Sequence, residues 1–287
     1  MNQKVWILFT FILISFVGSF VVWTAGSLLT KPVPVVFERT PKNAATVTFE
    51  SKSGSSISGW MLNASNPSAI AVLMHGIRSN RAQMIDRAEH LKEMGISSLV
   101  FDFQAHGESP GEMITLGHLE SYDAQAAVHF MQSIHPKLPI IVFGVSMGGA
   151  ASVLASPALD VDVLILESVY SDVETAIANR IKARIPGGQY LTPLLALQIK
   201  PRAGIDASQL SPVLEAHRVK AATLVLSGEL DVQTTVDDTS LLYESLPAPK
   251  LMKIIDGVGH DDLERYDPDV YWNIVEPFLK MYLNAGG

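Results

Sequence analysis

Three stretches of this sequence carry residues that could act together on an acyl group. The first is Gly144-Val145-Ser146-Met147-Gly148-Gly149, a G-x-S-x-G pattern directly after the apolar run Ile140–Phe143. A serine hydroxyl is a useful nucleophile only when it is exposed and close to a base. A sharp strand-to-helix turn presents it that way, and small neighbours leave room for the turn. The backbone N–H of Met147 then lies at a helix N-terminus, where it can donate to a developing oxyanion. The other two stretches are Gly228-Glu229-Leu230-Asp231 and Asp256-Gly257-Val258-Gly259-His260, which follow the apolar runs Thr223–Ser227 and Leu251–Ile255. Ser, then Asp, then His is one chain order of a Ser–His–acid triad. Ser146 would attack, His260 would take and return its proton, and Asp231 would hold the imidazolium. Rival acids are Glu167, at another strand end, and Asp261 and Asp262, beside the histidine.

A second oxyanion donor is expected from the loop after Ala69–Met74, which reads His75-Gly76-Ile77-Arg78-Ser79-Asn80. The backbone N–H of Ile77 is the first choice and that of Gly76 the next. His75 itself reads as structural. The segment Asp102-Phe103-Gln104-Ala105-His106-Gly107-Glu108-Ser109 reads as a turn held by local polar contacts, near the site but outside the chemistry.

These candidates need a scaffold that brings strand ends together. Short apolar runs at Ala69–Met74, Ser97–Phe101, Ile140–Gly144, Val163–Glu167, Thr223–Ser227 and Leu251–Ile255 alternate with helical patterns. The helices are expected at Arg81–Met94, His118–Ile134, Met147–Ala155, Val236–Leu246 and Val270–Leu283. Near-continuous apolar strands alternating with helices mean a parallel sheet covered on both faces. Active residues of such sheets gather at the carboxyl ends of the strands. Ahead of them, Thr46–Ser51 and Ser56–Leu62 alternate around Ser53-Gly54-Ser55 and read as a hairpin.

Composition removes several function classes. The 287 residues carry a net charge of −8, from 21 Lys and Arg against 29 Asp and Glu, which argues against a nucleic-acid partner. There is no cysteine, so no disulfide framework, thiol nucleophile or thiolate metal site. No HExxH-type pair supports a metal hydrolase, and no cofactor or metal is expected. One feature stands apart from the alternating pattern: Val5–Leu29 is a run of 25 residues without a charge. A spanning helix needs about 20 mostly apolar residues. Trp6 and Trp23 bracket the run roughly 26 Å apart along a helix, suited to the two interfaces of a bilayer. A retained anchor over 5–29 is expected, then a linker over 30–43 opened by Pro32 and Pro34, with the orientation undetermined. The rival is a signal peptide cut near Ala25-Gly26-Ser27, which would make the protein secreted or periplasmic.

The segments HGIRSN at 75–80, DFQAHGES at 102–109, GVSMGG at 144–149, GELD at 228–231 and GVGHDDL at 257–263 together resemble the α/β-hydrolase superfamily. Within it they resemble the serine aminopeptidase-type, carboxylesterase-like branch that includes monoacylglycerol lipases. The resemblance covers about Ala44 to Leu283. It implies an eight-stranded, mostly parallel sheet over 44–287, helices on both faces, and a short cap at about 169–217 after the sixth strand. One position departs from it: such relatives usually carry arginine where Gln104 stands, so a loop contact should differ here.

The expected function is a membrane-anchored serine hydrolase acting on small-molecule esters or thioesters with apolar acyl groups. An amidase or peptidase could use the same residues, and a catalytically inactive, membrane-tethered binding module is the alternative from another class. Leu194, Leu195, Leu197 and Ile199 of the cap could line an acyl pocket. Arg180, Lys182, Arg184, Lys200 and Arg202 form an acid-free stretch that could rest on anionic headgroups or receive an anionic substrate.

Overall fold

The computed structural model describes residues 3–283, so the last residues of the expected domain, 284–287, lie outside the described residues. Eight strands form one sheet: β1 (Ala44–Glu50), β2 (Ser56–Leu62), β3 (Ala69–Met74), β4 (Ile96–Phe101), β5 (Ile140–Val145), β6 (Val163–Glu167), β7 (Ala222–Gly228) and β8 (Lys250–Ile255). Their order across the sheet is β1-β2-β4-β3-β5-β6-β7-β8. The β1–β2 and β2–β4 pairs are antiparallel, and every other pair is parallel. This is the α/β-hydrolase fold, with the sheet the motifs implied.

Alternation along β3 shows how the sheet feeds two cores. Ile70, Val72 and Met74 face one side, where they join α3 (His118–Ile134) and α4 (Met147–Leu154). Ala69, Ala71 and Leu73 face the other, where they join α2 (Ile85–Glu93) and α7 (Pro268–Leu283). All six residues are buried, as a parallel strand covered on both faces requires. The expected helix over Arg81–Met94 is divided: Arg81–Met84 is a 3-10 turn capped by the Asn80 side chain, and α2 follows.

Ahead of the sheet, helix α1 runs over Gln3–Thr30. Its segment Thr10–Thr30 is long and apolar enough to cross a membrane, and most of its described residues are exposed. A signal sequence would have the same length and composition.

The connection between β6 and β7 carries α5 (Val173–Lys182) and several shorter helical pieces, while α6 (Val236–Ser245) follows β7. Two expectations for this cap are corrected. Leu194 and Leu197 are 50% and 72% exposed, so they are not enclosed in an acyl pocket, while Leu195 is half-buried and Ile199 packs with Val173 and Leu210 in a small core of the cap. The five cations do not form one free face either. Lys200 pairs with Asp206, Arg202 is bonded to α1, and Arg180 is half-buried.

Two buried polar clusters join the layers. Arg87, on α2, is fully buried and grips the Glu167 carboxylate at the end of β6 through Nε (3.1 Å) and Nη2 (2.7 Å). Tyr271 of α7 donates its hydroxyl to the same carboxylate at 2.6 Å, and Arg87 Nη2 also donates to Asp262 at 2.8 Å. On the other side of the sheet, Gln104 fills the place of the usual arginine. Its amide donates to Met113 O and to Glu120 Oε1, each at 2.8 Å. Glu120 also accepts from the N–H groups of Thr115 and Gly117 and from the Thr115 hydroxyl. A neutral amide thus takes the place of a guanidinium beside a buried carboxylate. Neighbouring Asp123 is fully buried and accepts the Gln104 N–H at 2.8 Å, with the Ser51 and Ser53 side chains beside it. Burial, with the Glu120 charge adding to it, pushes the Asp123 carboxyl up to about 7.

Removing one partner of a buried ion pair leaves an uncompensated charge. Arg87→Met is therefore expected to cost about 3–5 kcal/mol and to lower Tm by roughly 6–20 °C. The double variant with Glu167→Gln should recover part of the loss. Thermal unfolding of the detergent-solubilised chain reads both. For Asp123 the folded pKa lies above the unfolded one, so the folded state binds the extra proton. Stability from this group is present at low pH and lost as pH rises through about 7. Asp123→Asn should match wild type in Tm below about pH 4 and exceed it at pH 8, with the gap opening between about pH 4 and pH 7. A Tm gap independent of pH would contradict that assignment.

Candidate active site

Ser146 stands at the turn from β5 into α4, with φ +49° and ψ −111°. An L-residue enters that region only when its surroundings hold it there. Here the Ser146 N–H donates to Glu167 O at 2.7 Å, and its carbonyl accepts from the Ala150 N–H at 3.0 Å. The start of α4 lies tight against the end of β3. A Cβ on Gly148 would come 2.5 Å from Met74 O and 2.7 Å from His75 O, so the position requires glycine. The Ser146 hydroxyl is buried and has no hydrogen-bond partner among the described residues.

At the same carboxyl edge, the loops after β7 and β8 run side by side because their strands are neighbours. The Glu229 N–H donates to Ile255 O and the Leu230 N–H to Val258 O, each at 2.9 Å. This brings Asp231 Oδ2 to 2.7 Å from His260 Nδ1. The other Asp231 contacts come from the Thr234 hydroxyl (2.6 Å) and the N–H groups of Gln233 (2.8 Å) and Thr234 (2.9 Å). Burial alone would raise the Asp231 carboxyl, but the hydrogen bond and charge of His260, with the Thr234 bonds, together hold it below the usual carboxylate range. An ionised acceptor at Nδ1 orients the ring and leaves Nε2 as the nitrogen with a lone pair. Asp231 and His260 are thus joined directly. Ser146 stands two strands across the edge, with its hydroxyl uncommitted.

The rival acids are engaged elsewhere. Glu167 is spent on Arg87 and Tyr271, and Asp262 on Arg87 and on the N–H of Arg265, while Asp261 is exposed.

For the oxyanion donors, the structure separates the two N–H groups of the first loop. The Gly76 N–H is taken by Gln83 Oε1 at 2.9 Å. Among the described residues, neither the Ile77 nor the Met147 N–H has an acceptor. The Ile77 N–H shares a rigid peptide plane with the Gly76 carbonyl. That carbonyl accepts from His75 Nδ1 at 2.7 Å and from the Ser79 N–H at 3.2 Å, which fixes the plane. His75 is buried, and burial with the nearby His106 holds its pKa well below the ordinary value, so the ring is neutral. Its Nε2 accepts from the Phe103 N–H at 3.1 Å. Asp102 closes the next turn, accepting from the N–H groups of Arg81 (2.7 Å) and Glu108 (2.9 Å), while the Arg81 guanidinium lies 4.5 Å from the Phe37 ring and 4.3 Å from that of Trp60.

Sequence reasoning did not single out Gln83, Arg87 or Thr234. Gln83 Nε2 reaches Asp262 at 3.4 Å, so Gln83 and Arg87, four residues apart, both bind the loop that carries His260. Two long polar side chains on the core-facing side of one helical segment were the available signal. For Thr234 it was the D-x-x-T spacing, which places a hydroxyl and an N–H over one carboxylate. Two clefts of about 390 Å³ each are lined by none of Ser146, Asp231 and His260.

With this geometry in hand, comparison with known proteins is informative. Residues 65–212, more than half of the chain, match the family model described as serine aminopeptidase, S33. The uncharacterized protein YqkD of Bacillus subtilis is 24% identical over 249 residues, covering 85% of this chain and 81% of its own. YfhR of Escherichia coli K12, also uncharacterized, is 26% identical over 290 residues, covering 97% and 95%. The rat monoglyceride lipase matches over 92 residues at 29% identity, covering 31% of this chain and 30% of its own. Among solved structures, the Pyrococcus furiosus esterase Pf2001 superposes with a TM-score of 0.72 at 22% identity, over 89% of this chain and 98% of that one. The Exiguobacterium antarcticum esterase gives 0.59 at 14% identity, over 82% and 99%. These structural likenesses concern the fold, and the family match concerns descent: the chain belongs to the serine aminopeptidase family of the α/β-hydrolase superfamily.

Proposed function

We propose that this protein is a membrane-anchored serine hydrolase that cleaves carboxylic ester or thioester bonds through an acyl-enzyme on Ser146. The observation that carries the reading is the uncommitted Ser146 hydroxyl at a strained turn, on the same sheet edge as a His260 ring oriented by an ionised Asp231. Family membership supports a hydrolase, and the esterases among the structural neighbours agree with ester substrates.

In this reading Ser146 Oγ attacks the acyl carbon as His260 Nε2 takes its proton. The carbonyl oxygen becomes an oxyanion and accepts from the Ile77 and Met147 N–H groups. Collapse expels the alcohol or thiol, which leaves with the proton held on His260. Water then attacks the acyl-enzyme by the same route and releases the acid. Asp231 stays ionised throughout, because its pKa is depressed, and balances the imidazolium that forms at each transfer. The family's peptidase members favour one further reading, cleavage of amides by the same groups. Helix α1 would hold the domain at a bilayer, where acyl esters are concentrated.

Ser146→Ala and His260→Ala should each lower kcat on a p-nitrophenyl ester by at least a thousandfold, with Tm within a few degrees of wild type. Asp231→Asn should lose kcat as well, and the Ser146→Ala/His260→Ala double variant should be little worse than the worse single one. Activity surviving in Ser146→Ala would remove the nucleophile assignment. Matched ester and amide substrates decide the bond: a higher kcat/KM for the amide would replace esterase with amidase. Carbonate extraction of membranes tests the anchor, and release of the full chain into the supernatant would contradict it.

A further inference from the structure

The end of helix α1 does not lead into a free tether. Val33 and Pro34 pair in parallel with His106 and Gly107, through the Val33 N–H to Ala105 O and the Val35 N–H to Gly107 O, each at 2.9 Å. The Ile114 N–H donates to Thr30 O at 2.8 Å. Further up the helix, Gln198 Nε2 donates to Val22 O at 3.0 Å. Arg202 Nη2 donates to Trp23 O (2.6 Å) and Ser27 Oγ (2.9 Å), with its guanidinium 3.9 Å from the Trp23 ring centroid. The last carbonyls of a helix have no partner within it. Here Thr30 O and Leu28 O accept from the hydrolase domain, while Val22 O and Trp23 O, inside the helix, each take a second donor from it.

One of those side chains belongs to the candidate oxyanion loop. Arg78 follows Ile77 and sends Nη1 to Leu28 O at 3.2 Å and Lys31 O at 3.4 Å. Its own backbone is at φ +59°, in the third position of the turn closed by the Ser79 N–H on Gly76 O. Glycine or asparagine is the usual residue there, because a side chain is strained at positive φ. An arginine in this place therefore has to be held, and the two carbonyls at the end of α1 hold it. The Arg78 N–H donates to His106 Nε2 at 3.2 Å, so the backbone is pinned from the opposite side.

We infer that Arg78 is a positioning residue through which the retained N-terminal helix braces the oxyanion loop, making the end of α1 part of the active-site frame. The inference rests on the reading of Ser146 as nucleophile and Ile77 as oxyanion donor. Loss of the brace lets the turn relax and moves the Ile77 N–H away from the developing charge. Transition-state stabilisation falls while ground-state binding of a short ester is unaffected, so the change appears in kcat and not in KM. Cleavage at Ala25-Gly26-Ser27 would remove the Val22 and Trp23 acceptors and leave the Leu28 and Lys31 acceptors of Arg78 in place.

The test uses the full chain in detergent and a short, water-soluble p-nitrophenyl ester, with rates divided by the concentration of fluorophosphonate-titrated sites. Arg78→Gly relieves the strained φ yet removes the brace. It should leave Tm near the wild-type value and lower kcat about tenfold or more, with KM within twofold. Arg78→Lys keeps a donor for the two carbonyls and should restore part of kcat. If Arg78→Gly does not fold, Arg78→Met, which has no donor for the two carbonyls, decides: wild-type kcat there overturns the inference. Wild-type kcat in Arg78→Gly overturns it too, as does a purified active chain whose N-terminus lies beyond Lys31. Arg184→Ala, an exposed cap cation, serves as the control and should be unchanged. Ser146→Ala, with its rate divided by total protein, separates the two readings. If it is inactive while Arg78→Gly is fully active, only the brace is wrong, whereas full activity of Ser146→Ala overturns both.

Discussion

The hydrogen bond from the Ser146 N–H to Glu167 O, at 2.7 Å, is the constraint around which the site is arranged. It holds a serine at φ +49° and turns the chain from β5 into α4 within one residue. Glu167 can do this because it is itself immobilised. Its carboxylate is gripped by Arg87 and Tyr271, from helices on one face of the sheet. Arg87 also binds Asp262, two residues past His260. One buried guanidinium therefore relates the turn that presents the serine to the loop that presents the histidine. Such a pair contributes little net stability over an apolar replacement, but losing half of it is costly. Its value here lies in geometry: it fixes two catalytic candidates from different strands in one frame.

A second frame surrounds the candidate oxyanion donors. Neutral His75 and His106 each bridge two backbone segments, and burial lowers the pKa of both. Asp102 accepts two N–H groups and pairs with an Arg81 guanidinium that lies between Phe37 and Trp60. Phe37 comes from the segment after α1, so chain that precedes the sheet packs into the loop network beside the site. The helix is thus continuous with the chemistry in structure as well as in sequence.

Much of this was legible before any coordinates. The sheet could be read because buried parallel strands are apolar along their whole length, as Ala69–Met74 and Ile140–Phe143 are, and because each is followed by glycine-containing loops. The candidate triad could be read because Ser146, Asp231 and His260 each follow one of those runs. What stayed hidden depends on direction and not on composition. Leu194 and Leu197 are as apolar as pocket residues, yet they are exposed. Arg202 belongs to a run of cations, yet it reaches back to a helix about 180 residues earlier in the chain. Arg78 and Arg87 look like ordinary surface charges until the fold places carbonyls and carboxylates around them. The Gln104 departure was visible as a missing guanidinium, but the partners of its amide, Met113 O and Glu120, needed the packing of α3.

The central claim is that Ser146 is the nucleophile. The most direct measurement is mass-spectrometric mapping of the adduct formed when the intact, detergent-solubilised chain reacts with a fluorophosphonate. One adduct on the peptide containing Ser146, formed far more slowly in the His260→Ala variant, is the expected result. An adduct on a different serine, or none on a chain that remains folded, would contradict the account.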